Sequence, residues 1–208
     1  MSKIDLNDLS NMQYDVLSEI GNIGAGNATT ALATMINKKI DIGVPHVKLV
    51  DFNHISTIIG SEEQVMVGIL LMLSGDINGM MMFLLDEVIA KNLVNVLMNR
   101  EEGSEVVFDE MEKSAVMEVG NIIAGAYLNS LSMLTNLTID VSVPMLQIDM
   151  AGAILSVPAI EFGKIGDSVL LIETEFDDET RKEEAIRGYY ILIPELDSYE
   201  KILESLGV

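Results

Sequence analysis

The chain contains no cysteine, which excludes disulfides, thiolate nucleophiles and zinc–thiolate sites together. Histidine is nearly as scarce. His46 and His54 are the two present; they stand eight residues apart without the supporting partners of a metal motif, so they read as ordinary polar residues near a strand end. Basic residues are few as well: 12 Lys and Arg against 33 Asp and Glu leave a net charge of −21. Such a surface repels phosphate backbones and anionic lipid, which argues against nucleic acid and membrane surfaces and in favour of protein partners. Long hydrophobic runs are missing too. The longest, such as VGILLML, are far too short to span a bilayer, and the opening MSKIDLNDLS is polar and acidic, so no signal peptide is expected. A cytoplasmic protein is the expectation. What is present is a chain of 208 residues, 49% of them apolar, enough for a buried core and too apolar for disorder.

The chain also repeats itself. Set residue n beside residue n + 99, and EIGNIGAG (19–26) lies over EVGNIIAG (118–125). Leu32 then lies over Leu131, Asn37 over Asn136, Ile40–Asp41 over Ile139–Asp140, and Val44–Pro45 over Val143–Pro144. Later the offset becomes 109, where GMMMFLLDEVIAKNLVNVL (79–97) resembles GYYILIPELDSYEKILESL (188–206); the extra residues fall in DDETRKEE, which reads as a longer hairpin loop. Two tandem copies, about 8–99 and 107–207, are joined by the polar segment NREEGSEV and make up one domain over 1–208.

Each copy reads alike. A long helix opens it (about 8–36 and 107–135), with Asp8 and Asp109 near its start, where the dipole favours acids. A strand ends near the proline (about 40–50 and 139–149). A mixed stretch with one short helix follows. A β-hairpin comes next (about 64–74 with 79–85, and 167–176 with 188–193), and an amphipathic helix closes the copy (about 86–99 and 195–206). Neither copy offers enough sheet alone, so the six strands are expected to share one. The fold class is α+β: pseudo-symmetric repeats sharing one mainly antiparallel sheet, with the two long helices on one face.

SEIGNIGAGN (18–27) packs three glycines into six positions. A phosphate loop would need a strand before it and glycines at fixed places. The preceding NMQYDVL lacks strand alternation, and the second copy replaces Gly24 by Ile123 and Asn27 by Ala126. A helix is the better reading, although each interior glycine costs about 1 kcal/mol relative to alanine. On that helix Glu19, Asn22, Ile23 and Gly26 share one face at i, i+3, i+4 and i+7, and Glu118, Asn121, Ile122 and Gly125 repeat it. Met12, Val16, Ile20 and Leu32 are then expected to face the sheet. The Glu and Asn persist while their neighbours Ser18/Met117, Asn27/Ala126 and Thr29/Leu128 change, which a merely solvated polar stripe does not explain.

A side-chain amide is a poor base, but it can donate one hydrogen bond and accept another, and so fix a water in line with a phosphorus atom. With no metal cluster, nucleophile triad or phosphate loop, the chain is badly equipped to hydrolyse a stable phosphate ester alone. It suits a labile acyl phosphate whose metal and charge partners belong to another protein, with the carboxylate pairing to that partner's lysine or arginine.

The pattern Asp15-x-x-x-Glu19-x-x-Asn22, then twenty-two residues, then Pro45, resembles the signature of the CheC/CheX/FliY phosphatases of bacterial chemotaxis. Ser114-x-x-x-Glu118-x-x-Asn121, followed after the same interval by Pro144, repeats it. The resemblance covers nearly the whole chain. It implies dephosphorylation of CheY-phosphate, with Asn22 and Asn121 orienting the attacking water and Glu19 and Glu118 pairing with a regulator lysine. It implies no cofactor of the chain's own, magnesium in the partner regulator, and CheD, the receptor deamidase, as a further partner. The first motif position differs, Asp15 against Ser114. The alternative is a non-enzymatic chemotaxis or flagellar-switch adaptor that binds CheD or CheY, and a less favoured one an autonomous phosphate-ester hydrolase.

Overall fold

The computed structural model describes residues 9–36, 40–42, 46–51, 55–101, 103–162, 168–178 and 186–208. Asp8, Asn37, Pro45, His54 and most of the charged insertion after Asp178 lie outside the described residues. The first repeat runs α1 (Asn11–Ile36), β1 (Ile40–Ile42), β2 (His46–Asp51), α2 (Ile55–Ile59), β3 (Val65–Gly75), β4 (Gly79–Asp86) and α3 (Glu87–Leu97). The second runs α4 (Glu110–Thr135), β5 (Ile139–Val141), β6 (Met145–Met150), α5 (Ala151–Phe162), β7 (Ser168–Asp178), β8 (Ile186–Pro194) and α6 (Leu196–Ser205).

Eight strands form one sheet in the order β1-β7-β8-β4-β3-β5, with β2 also on β7 and β6 also on β3. The single strand expected over about 40–50 and 139–149 is in each repeat two segments. In the second repeat Pro144 occupies the break: it has no N–H to give a ladder, and pairing resumes at Met145, opposite Leu70. The pairing crosses between repeats. β1 and β2 lie on β7, and β5 and β6 lie on β3. Each repeat therefore completes the other's sheet. At the centre, β4 pairs with β8 so that Met82 faces Ile191. These two residues are 109 apart, the late repeat offset, so the pseudo-two-fold axis passes between them. β7 also reaches farther than expected, with Asp177 and Asp178 pairing with Asp41 and Ile40.

The central strand explains its own sequence. Met81, Phe83 and Leu85 point into one buried cluster with α1, α3, α4 and α6. Met80, Met82 and Leu84 point into a second with α2 and α5. A strand covered on both faces needs a continuous apolar run in place of alternation. The two long helices share one face, as expected.

The helix starts are set by paired side-chain caps. Asp109 accepts from Glu112 N at 2.9 Å, and Glu112 Oε2 accepts from Asp109 N at 3.0 Å. One repeat earlier, Gln13 N donates to Ser10 Oγ at 3.2 Å, and Ser10 N donates to Gln13 Oε1 at 3.0 Å. Ser10 and Asp109 are equivalent under the 99-residue offset, so the counterpart of Asp109 is Ser10 and not Asp8. The sequence signal was the capping-box spacing, S-x-x-Q and D-x-x-E.

Glu112 does more than cap. It is 2% exposed, it accepts from Arg100 Nη1 at 2.5 Å, and it accepts from Val107 N at 3.1 Å. The segment between the repeats is thereby fastened to α4. Asn95 Nδ2 adds a bond to Ser104 O at 3.0 Å, and Val106 and Phe108 are buried. The Arg100 guanidinium holds the Glu112 carboxyl below the usual carboxylate range, against the opposing pull of burial. A depressed carboxyl stabilises the fold above its unfolded value, about 4.3, and loses that contribution as pH falls through the folded value. Glu112→Gln gives α4 the residue α1 already carries, so the cap survives and the ion pair does not. The variant is expected to melt below the parent at pH 7, and the gap is expected to close below about pH 4. Melting temperature against pH for both proteins measures this, and a gap that is constant with pH sinks the linkage.

Candidate functional site

SEIGNIGAGN lies in the middle of α1, so the helix reading holds. Its glycines divide into two kinds. Gly24 is buried where α1 meets α4: a Cβ there would lie 2.5 Å from Tyr127 Cε2. Tyr127 is fully buried and stacks on Tyr190 with ring centroids 6.4 Å apart. The repeat offset makes Gly24 equivalent to Ile123 and Tyr127 to Ala28. One helix therefore supplies glycine and alanine where the other supplies isoleucine and tyrosine, and the sizes compensate across the interface. Asn27 Nδ2 donates to Ser130 Oγ at 2.7 Å across the same contact. Gly120 likewise faces inward, against Ile69.

Gly26 and Gly125 are the other kind. Nothing lies within 4 Å of a Cβ built at either position. They sit on the outer face of the helices with the expected site residues. Glu19 and Glu118 are exposed, Asn121 is exposed, Asn22 is half-buried, and Ile23 and Ile122 are half-buried beside them. Each long helix thus carries, on its solvent side, a carboxylate, an amide one turn on and bare backbone one further turn on. Val16, Ile20 and Leu32 pack into the core as expected. Met12 does not: it is 64% exposed.

The two strips differ in detail. The Asn22 Oδ1 atom and the Ser18 Oγ atom one turn before it are buried without a hydrogen-bond partner. In the second copy Met117 replaces Ser18 and Asn121 is open to solvent. Pro144 is half-buried between β5 and β6. No helix among the described residues is long and apolar enough to cross a membrane.

Two solvent-facing Glu–Asn strips thus lie on paired helices over one sheet with exchanged strands, an α+β fold built from two repeats. The chain belongs to the CheC-like family. The family model matches residues 12–49 and 111–148, two segments related by the repeat offset. Over 203 residues the chain is 34% identical to the CheY-P phosphatase CheC of Bacillus subtilis, covering 97% of each. Its fold superposes on the crystal structure of Thermotoga maritima FliY with a TM-score of 0.73 at 24% identity, covering 96% of this chain and 98% of that one. It also matches a chain of the CheX–CheY–BeF3–Mg complex from Borrelia burgdorferi, with a TM-score of 0.53 at 21% identity, covering 84% and 96%.

Proposed function

We propose that this protein is a phosphatase that accelerates hydrolysis of the aspartyl phosphate of CheY. The observation that carries the reading is the recurrence of an exposed glutamate and an asparagine at identical spacing on both long helices, each beside an open glycine. Asn22 and Asn121 enter the regulator's phosphorylation site. There the exposed Asn121 amide donates one hydrogen bond and accepts another, fixing a water in line with phosphorus, and Asn22 does the same once its buried oxygen turns outward. The water oxygen bonds to phosphorus as the bond to the acyl oxygen breaks. The leaving group is a carboxylate, which needs no proton, so the water's proton can pass to a phosphoryl oxygen and no strong base is required. Magnesium and the cationic charge partners would be the regulator's own. The cytoplasm, where CheY works, is the fitting compartment, and CheD is the second partner that the family resemblance suggests.

The test is to mix the purified chain with phosphorylated CheY and follow inorganic phosphate. Stimulated release, with none from a small aryl phosphate, supports the reading. Binding without stimulation would make the chain an adaptor.

Glu19 and Glu118 act in docking. Placing lysines at both positions sets like charges against the regulator's lysine. The affinity for phosphorylated CheY is expected to fall about tenfold or more, equivalent to about 1.4 kcal/mol, with little change in melting temperature because both side chains are exposed. Titration calorimetry reads the affinity. Unchanged affinity with lost activity would move the carboxylates into the chemical step.

A further inference from the structure

Met12 is 64% exposed and Met111 is 68% exposed. They are equivalent under the 99-residue offset. Among the described residues this is the one large apolar pair found strongly exposed in both repeats. Among the other strongly exposed apolar side chains, Val88 corresponds to Asp197, Met133 to Thr34 and Ile160 to Ser61, while Val143 corresponds to Val44, which lies outside the described residues. A scattered exposed hydrophobe needs no explanation. One that recurs at the same place beside the same candidate site does.

The place is specific. Met12, Glu19 and Gly26 follow one another at intervals of seven residues, two turns each, so they share a face with Glu19 at the midpoint. Met111, Glu118 and Gly125 do the same. The strip from methionine to glycine is about 21 Å long. A standard interface buries about 800 Å² per partner, a patch roughly 32 Å across. A regulator centred on Glu19 and Asn22 would therefore cover Met12 as well as Gly26.

We infer that Met12 and Met111 are docking residues for phosphorylated CheY, each an apolar contact at one end of its Glu–Asn strip. The occupant is fixed by continuity: the strip between methionine and glycine is the surface that the phosphatase reading above gives to the regulator, and this inference rests on that reading. The flexible, polarisable thioether adapts to a partner surface without a preformed pocket. Binding would remove each side chain from water, which for full burial corresponds to roughly tenfold to a hundredfold in affinity.

The experiment compares Met12→Gln with Met111→Gln, a polar change of similar length, against Met12→Leu with Met111→Leu. KM and kcat for phosphorylated CheY are measured alongside melting temperature. The glutamine pair is expected to raise KM about tenfold with the rate at saturating regulator and the melting temperature retained. The leucine pair is expected to keep KM near the parent's. A glutamine pair within twofold of the parent's KM, a leucine pair as impaired as the glutamine pair, or a KM rise that tracks a lower melting temperature each overturns the inference. The Asn22→Ala, Asn121→Ala double variant, measured in parallel, separates the two failures. Full activity there ends the phosphatase reading itself, whereas lost activity there with an unmoved KM in the methionine variant ends the docking inference alone.

Discussion

Replacing Asn22 and Asn121 together by alanine is expected to reduce stimulated dephosphorylation of CheY about a hundredfold or more, the usual scale for losing a preorganised positioning group. The fold should not change. Both side chains project from the outer face of a long helix, and surface substitutions of this kind usually shift stability by less than about 0.5 kcal/mol. For Asn22 the balance tilts towards neutrality or slight gain, because its amide oxygen is buried with no partner and such an atom carries a desolvation cost. The single variants are expected to differ. Asn121 is exposed where Asn22 is half-buried, so Asn121→Ala should lose more activity than Asn22→Ala. Phosphate release and melting temperature on all three variants check both parts. Unfolding of the double variant would make the amides structural, and full activity would end the water-positioning idea.

The glycines provide the second large effect, and here the sign depends on which glycine is changed. Gly26→Leu with Gly125→Leu adds side chains into open space and replaces the worst non-proline helix former, a gain of up to about 1 kcal/mol at each site. The melting temperature should stay level or rise. Activity should disappear, because the new side chains stand where the regulator's surface must approach. Gly24→Val does the reverse. Its Cβ would fall 2.5 Å from the Tyr127 ring, which is fully buried and cannot swing into solvent. Overpacking of this kind costs about 1–3 kcal/mol, or roughly 2–12 °C in a chain of this size. Measuring melting temperature and activity on both variants distinguishes a docking surface from a packing contact. A large fall in melting temperature for the Gly26, Gly125 pair would place those glycines inside.

Much of this organisation is legible in the sequence alone. The 99-residue offset is a property of the sequence, and it reappears as α1 and α4 of equal length, as β1 and β2 matched to β5 and β6, and as two family matches. The helical spacing of Glu19, Asn22 and Gly26 placed them on one face, and that face is the outer one. Such features are legible because a helix converts sequence spacing directly into direction, every 3.6 residues, with no knowledge of what lies nearby.

Other features depend on residues far apart in the chain, and no spacing encodes them. The tandem copies predict one shared sheet but not which strands pair. Only the sheet shows that they exchange strands, β2 onto β7 and β6 onto β3, because pairing partners are chosen by the hydrophobic faces that must be covered jointly. Helical spacing places Gly26 on the face of Glu19 and Asn22, but it does not say what lies beside Gly24. The tertiary structure splits the two glycines, since Tyr127, a hundred residues away, fills the space beside Gly24 and nothing fills the space beside Gly26. Met12 is a residue type that favours burial, yet it is 64% exposed: it stands at the first turn of α1, on the outer face with Glu19, and there the seven-residue spacing was the signal that residue type overrode. Sequence by itself determined which residues repeat and which way they point along a helix. The tertiary structure alone decided what each meets there, because burial is set by neighbours that the chain delivers from the opposite repeat.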